Sequence, residues 1–306
     1  MAFTAADVKN LREMTGVGMM DCKKALAASD GDMDKAVEYL REKGLAASAK
    51  KAGRIAAEGM AYAAVINGVG VVVEVNAETD FVGKNEKFVD FVKGVAATVA
   101  SANPANLDAL MECKYNGTDL TVLQQQQEMV LVIGENIKVR RFARFADGVS
   151  VPYVHAGGKI GVLVNLEVDG EVSDKVLEMG KDVAMQIAAL NPRFWDKSQV
   201  TQDVLDEEKK VMLAQMENDP KMASKPEKVK EGIIVGKLRK FYEENCLLQQ
   251  DFVKDGSMSV EQYVAAEAKK AGGAITFKNA VRFEKGEGIE KRQENFAEEI
   301  AKQLQK

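Results

Sequence analysis

The chain has 306 residues, 46% hydrophobic and 29% charged, the balance of a folded globular protein rather than a disordered one. Lys and Arg number 42 against 47 Asp and Glu, and the net charge of −5 disfavours a general nucleic-acid binder held by phosphate contacts. Three scattered cysteines (Cys22, Cys113 and Cys246) and one histidine, His155, offer no disulfide framework, no CxxC metal clip and no histidine-based triad.

At about 100–200 residues per domain, two or three domains are expected. The opening Met1-Ala-Phe-Thr-Ala-Ala-Asp7 lacks a basic segment followed by an apolar one, and no apolar run reaches the ~18–20 residues of a membrane span. A soluble, cytoplasmic protein without membrane contact is therefore expected.

Residues 1–44 predict three short helices. Thr4 and Asp7 can form a capping box for the first, whose inner face is Val8 and Leu11. The chain breaks at Thr15-Gly-Val-Gly18. Met19, Cys22 and Leu26 then recur at helical spacing, as do Met33, Val37 and Leu40 after Asp30-Gly-Asp32. This spacing assigns the methionines mostly to the core, and Gly44 is expected to close the unit. The Ala-rich stretch 45–59 reads as a partly helical tether.

Strands begin near Met60. Tyr62–Ile66 and Val69–Val75 flank Asn67-Gly68, a strong hairpin signal. After the loop Asn76–Asn85 a helix carries Phe88, Phe91, Val92, Val95 and Val99 on one side. A Pro104 break, a further helical stretch to Ile133 and a strand Ile137–Phe145 follow. The pattern then repeats. Tyr153–Leu166 aligns with Tyr62–Val75 at a constant offset of 91, pairing Tyr153 with Tyr62 and Leu166 with Val75. The helix Val176–Leu190 repeats Phe88–Val99, and Ile275–Phe283 repeats Ile137–Phe145. Two copies of one α+β unit are expected, each with its last strand joining the hairpin's sheet. The second copy carries an insertion of two amphipathic helices around Asn218–Pro226, with Val204, Leu205, Val211, Met212, Met216, Val229, Ile233 and Phe241 inward. A last helix near Ile289–Leu304 has Phe296, Ile300 and Leu304 at spacing four.

No GxGxxG or GxxxxGK[ST] motif is present, so a phosphate cradle is not expected. Cys22 falls at core spacing, and His155 beside Gly157-Gly158 lacks a catalytic partner in the sequence. The stretch Thr79-Asp80-Phe81-Val82-Gly83 puts a large aromatic beside a carboxylate at a strand-to-helix turn. Either Phe81 folds back to seal the core while Asp80 caps the next helix, or the pair forms an exposed recognition tip. Gly134 in Ile133-Gly134-Glu135 suits a helix C-cap.

Four segments carry a resemblance that covers the whole chain in order. Met14-Thr-Gly-Val-Gly-Met-Met-Asp-Cys-Lys-Lys-Ala-Leu26, Glu74-Val-Asn-Ala-Glu-Thr-Asp-Phe-Val-Gly-Lys84, Ile133-Gly-Glu-Asn-Ile137 and Phe283-Glu-Lys-Gly-Glu-Gly-Ile-Glu-Lys291 resemble signatures of the bacterial elongation factor Ts family. The resemblance implies a guanine-nucleotide exchange factor for elongation factor Tu, not an enzyme, with no cofactor and no nucleotide of its own. It implies a ubiquitin-associated-like three-helix module with its tether (1–54), a first α+β core subdomain (55–148), and a second (149–306) carrying a coiled-coil hairpin (about 201–250) and a C-terminal helix. It further implies that Thr79, Asp80, Phe81 and Val82 meet the partner's nucleotide-binding domain. Phe81 would wedge near its Mg²⁺ and phosphate region, supported by Ile133 and Gly134. His155 would contribute from the second subdomain, and Met19 and Met20 would contact the same domain elsewhere. Two other classes are a structural or chaperone-like clamp and an enzyme with a site between the repeats. The scarcity of histidine and the lack of a cofactor motif weigh against the latter.

Overall fold

The computed structural model describes residues 3–290; from residue 291 on, the helix expected near Ile289–Leu304 lies outside them. The described part begins with α1 (Ala5–Thr15), α2 (Met19–Ala28) and α3 (Met33–Lys51). The Thr4–Asp7 box caps α1 reciprocally. Val8, Leu11, Cys22, Ala25, Leu26, Ala36 and Leu40 close a small core among these helices.

A first sheet follows. Strands β1 (Glu58–Ile66) and β2 (Val69–Ala77) turn on Asn67-Gly68, both at positive φ, the mirror-image turn that matches strand twist. Helices α4 (Glu86–Ala102), α5 (Leu107–Glu112) and α6 (Val122–Ile133) lead to β3 (Lys138–Phe145), which pairs with β2. The second sheet is built the same way from β4 (Val149–His155) and β5 (Ile160–Asp169), then α7 (Asp174–Leu190). The helices α8 (Gln202–Asn218), α9 (Pro220–Ala223, one turn) and α10 (Glu227–Asn245) come next. Strands β6 (Asp251–Phe252) and β7 (Asp255–Ser259) and helix α11 (Val260–Ala271) precede β8 (Ala274–Glu284), which pairs with β5. The two larger sheets have the orders β1-β2-β3 and β4-β5-β8, and every pairing is antiparallel, so the class is α+β.

Each of these sheets is covered on both faces. Val71, Val73 and Val75 of β2 pack on Phe88, Phe91, Val95 and Val99 of α4. Val162, Val164 and Leu166 of β5 pack on Val183 and Ile187 of α7 and on Val260 and Val264 of α11. The inner faces meet through Ala61, Ala63, Val72, Leu163 and Phe283. Near-continuous apolar strands are what such double burial demands.

Several expectations need correction. Met14 and Met19 are 62% and 49% exposed and Met20 is 64% exposed, so these methionines are not core. Gly44 does not end a helix; α3 runs on to Lys51. A Cβ at Gly44 would lie 3.3 Å from the Gln127 carbonyl oxygen of α6, so the missing side chain lets two helices touch. Val211 and Val229 are exposed, whereas Met212, Met216 and Phe241 are buried between α8 and α10. The constant offset of 91 holds for β2 and β5 but not for the first strand. Val73 pairs with Tyr62 and Val164 pairs with Val151, so Val151 stands where Tyr62 does, two residues before the expected Tyr153. A slip of two preserves which face each side chain takes, which is why the pattern hid it.

One charged cluster ties the sheets together. The Glu74 carboxylate on β2 is fully buried, yet it accepts bonds from Arg140 (2.9 Å), Arg141, the Asn76 side chain (3.0 Å) and the Gly286 N–H (2.8 Å). Gly286 lies just past β8 of the other sheet. Arg141 also pairs with Glu287 at 3.0 Å and stacks 4.3 Å from the Phe283 ring centre. A β-bulge between Glu74 and Val75 inserts Arg140 as the extra residue of β3, so two successive arginines reach one carboxylate.

Burial alone would raise the Glu74 pKa, but the Gly286 N–H, Arg140, Asn76 and Arg141 together hold it below its ordinary value of 4.5. The unfolded chain therefore takes up this proton first, and the stabilisation, complete above about pH 4.5, is lost as the pH falls below it. Glu74→Gln should cost up to ~3 kcal/mol at neutral pH, less than a fully buried pair because both arginines keep some surface in water. It should also flatten the acid limb of stability. Urea unfolding followed from about pH 7 to about pH 3 checks both; an unchanged acid limb would show that another group titrates.

Candidate protein-interaction site

Beyond β2 the chain turns at Glu78-Thr79-Asp80-Phe81, makes one 3₁₀ turn over Val82–Lys84 and enters α4. Asn85 caps α4, its side chain accepting from the Lys87 and Phe88 N–H groups, so Asp80 is not the cap. Phe81 is 80% exposed and does not seal the core; Val82, next to it, is buried under the loop. Asp80 is exposed, with no hydrogen bond or ion pair to any described residue. A bare ring beside a bare carboxylate is an arrangement that recognises another surface.

Ile133 ends α6 half-buried, and Gly134 takes the left-handed C-cap position at φ 88°, its N–H donating to Val130 O. Glu135, the next residue, was not singled out in the sequence. Its Oε2 accepts from the Glu78 N–H (3.1 Å) and the Thr79 N–H (3.0 Å), and its Oε1 accepts from the Thr79 hydroxyl (2.7 Å). The Glu78 carboxylate returns the contact, accepting from the Asn136 N–H at 2.6 Å and from Arg54 at 3.3 Å. The Asn136 side chain in turn donates to the Arg54 carbonyl at 2.8 Å. Thr79–Val82 and Ile133–Gly134 are thus held as one unit. The signal for it was a pair of acids, Glu78 and Glu135, each placed where a turn leaves backbone N–H groups unpaired.

The far side of the loop is seated by close packing. A Cβ on Gly83 would lie 2.9 Å from the Gly59 carbonyl oxygen of β1. The turn after His155 docks two residues further along, where the Ala61 N–H donates to Gly158 O at 2.8 Å. His155 itself is exposed at the end of β4, its Nδ1 2.9 Å from the Tyr153 hydroxyl. So β1 seats the Phe81 loop and the His155 turn at neighbouring positions, although no bond joins them. Met19 and Met20 stand on α2 of the three-helix module, which meets the core through α3 packed on α6 at Gly44, through the Arg41–Glu128 pair at 3.5 Å and through the Lys87 ammonium, which donates to Gly16 O at 3.2 Å.

Among the described residues no group of three or more His, Cys, Asp or Glu could hold a metal ion, and no helix is long and apolar enough to cross a membrane. Cys22 and Cys246 are buried with thiols pushed up by burial, Cys246 to about 11, so neither is an activated nucleophile.

A protein-family model described as Elongation factor TS matches residues 78–287, from the Glu78 turn to the Glu287 that pairs with Arg141. A curated protein named Elongation factor Ts from Clostridium botulinum (strain Eklund 17B / Type B) is 48% identical over 307 residues, 99% of each chain. Relatives of the same name from Clostridium perfringens (strain SM101 / Type A) and Clostridium kluyveri (strain ATCC 8527 / DSM 555 / NBRC 12016 / NCIMB 10680 / K1) are 49% and 47% identical, covering 98% and 99% of each chain.

Gly83→Ala tests the seat on β1. The new methyl cannot fit against the Gly59 carbonyl without a backbone shift, so a loss of about 1–3 kcal/mol is expected, read as a lowered melting temperature. A melt identical to that of the native chain would mean that the loop does not rest there.

Proposed function

The chain belongs to the elongation factor Ts family, and from that premise we propose that it is a guanine-nucleotide exchange factor, working in the cytoplasm on elongation factor Tu carrying GDP. The observation that carries this reading is Phe81, 80% exposed on a loop pinned on both sides. In the proposed contact Phe81 enters a gap between helices of the partner's nucleotide-binding domain, and Asp80 fixes its register. Val82 anchors the loop from below. Thr79, Ile133 and Gly134 hold its flank. His155 adds a contact from the second sheet, and Met19 and Met20 add a separate apolar one from α2.

The chemistry makes and breaks no covalent bond in this chain, which is not an enzyme in that sense and binds no nucleotide or cofactor itself. A factor that weakens GDP binding must have its own binding weakened by GDP to the same degree, because the two share one partner. The free energy to expel a tightly held nucleotide comes from the interface, so a contact of about 2,000 Å² or more is expected. Mg²⁺ bridges and neutralises phosphate charge, so a wedge that shifts the partner's ion-holding elements loosens GDP without touching guanine. GTP then loads by mass action.

Labelled-GDP release from elongation factor Tu, with and without this chain, tests the reading. The native chain should accelerate release. Phe81→Ala should remove at least ~30-fold of that acceleration, the loss of a hot-spot aromatic, with its melting transition unchanged. A folded Phe81→Ala variant that stimulates like the native chain would remove Phe81 from the mechanism.

A further inference from the structure

Between its two anchors the Phe81 loop has little to hold it. Asp80 bonds to no described residue, and the only hydrogen bond at Phe81 among the described residues is its carbonyl accepting from the Lys84 N–H at 3.2 Å. On the α4 side, Val82 and Gly83 are fixed by burial and by the contact with Gly59. On the β2 side all the fixing comes from outside the loop, and three of its donors converge on one carboxylate, that of Glu135. Removing that carboxylate orphans the Glu78 N–H, the Thr79 N–H and the Thr79 hydroxyl together.

We infer that Glu135 is a positioning residue for the exchange reaction: it sets the direction in which Phe81 leaves the loop, without touching the partner. The inference rests on the reading in which Phe81 is the wedge. Its chemistry is specific to an acceptor pair. A carboxylate offers both oxygens as acceptors, and charge-assisted bonds to N–H and O–H donors are the stronger kind. Glutamine can keep much of the clasp, since its Oε1 can take the two backbone N–H groups while its Nε2 donates to the Thr79 hydroxyl oxygen. Alanine keeps none of it. Glu135 follows the Gly134 C-cap directly, so the fixed end of α6 aims the carboxylate, and Asn136 and Glu78 close the ring of contacts from the opposite direction.

The experiment uses the full chain. Labelled-GDP release from elongation factor Tu is measured for the native chain, Glu135→Ala, Glu135→Gln, Phe81→Ala and the Glu135→Ala/Phe81→Ala double variant. Amide hydrogen exchange at residues 78 and 79 is followed in parallel. Glu135→Ala should lose about tenfold of the stimulation, as a displaced but intact wedge would, with faster exchange at both amides. Glu135→Gln should restore most of both. The double variant should be no slower than Phe81→Ala alone, because Glu135 acts only through the ring. A folded Glu135→Ala variant with native stimulation overturns the inference. So does a double variant whose losses multiply, which would give Glu135 a contact of its own. If Glu135→Ala does not fold, Thr79→Val, which deletes one of the three bonds, must show a smaller loss in the same direction or the inference fails. If the native chain itself does not accelerate release while Glu135→Ala still frees both amides, the exchange reading falls and the inference with it, but the clasp stands as structure.

Discussion

A carboxylate with no contact to water, Glu74, holds the two sheets in one relation, and the geometry of the exposed loop descends from it. Burying such a charge is costly unless every lone pair finds a donor. Here two arginines, an asparagine side chain and a backbone N–H from the opposite sheet supply the donors. From Glu74 a row of polar side chains continues along the same face of β2. Asn76 donates to Glu74 and to the Glu58 carbonyl, and Glu78 reaches Asn136 and Arg54. The alternate residues Val73, Val75 and Ala77 face the helices instead. One strand thus serves an apolar core on one side and a polar spine on the other, and the spine ends at the turn that exposes Phe81.

Comparing the two copies explains why the first, and not the second, carries such a tip among the described residues. Both copies keep the β-bulge at the same place, between Glu74 and Val75 in the first and between Asn165 and Leu166 in the second. In the first copy Glu74 faces Arg141 across the strands; in the second, Asn165 faces Asn279. The bulge is common architecture, while the charge is the first copy's own. Charge is also what lets the segment after β8 of the second copy, through Gly286 and Glu287, close over the first. The second copy therefore braces, and the first presents.

How much of this could be seen in the sequence follows from the range of each interaction. The Asn67-Gly68 turn, the Thr4 cap of α1, the Gly134 C-cap and the apolar face of α4 are local, and each left its mark within a few residues. Strands β6 and β7 and helix α11 went unassigned. The strands are too short to alternate, but Ser259 and Gln262 form a capping box that marks the start of α11. The exposure of Phe81 stayed open between two readings because spacing cannot say whether a ring beside a turn faces inward. What decides it is Val82, one residue on, which fills the space beneath the loop. The bonds that Glu135 accepts from residues 78 and 79 and Glu74 accepts from Gly286 join positions 57, 56 and 212 residues apart, and no periodicity reports on them. The methionines show the converse failure. Met19 shares a helical stripe with Cys22 and Leu26, yet it sits in the first turn of α2, where the stripe has already left the core.

Rigidity gives these bonds their bearing on the proposed exchange. A flexible loop that ordered only on contact would spend part of the interface's free energy on its own ordering, at about 1–2 kcal/mol per backbone residue fixed. A loop whose amides are already held by Glu135, and whose far side is already packed on Gly59, meets the partner with that cost carried by folding. More of the contact energy is then left to distort the partner's phosphate site. The same reasoning accounts for the bare Asp80: a carboxylate satisfied within the chain would have nothing to offer across the interface, and here both donors of the neighbouring Thr79 are engaged by Glu135 instead.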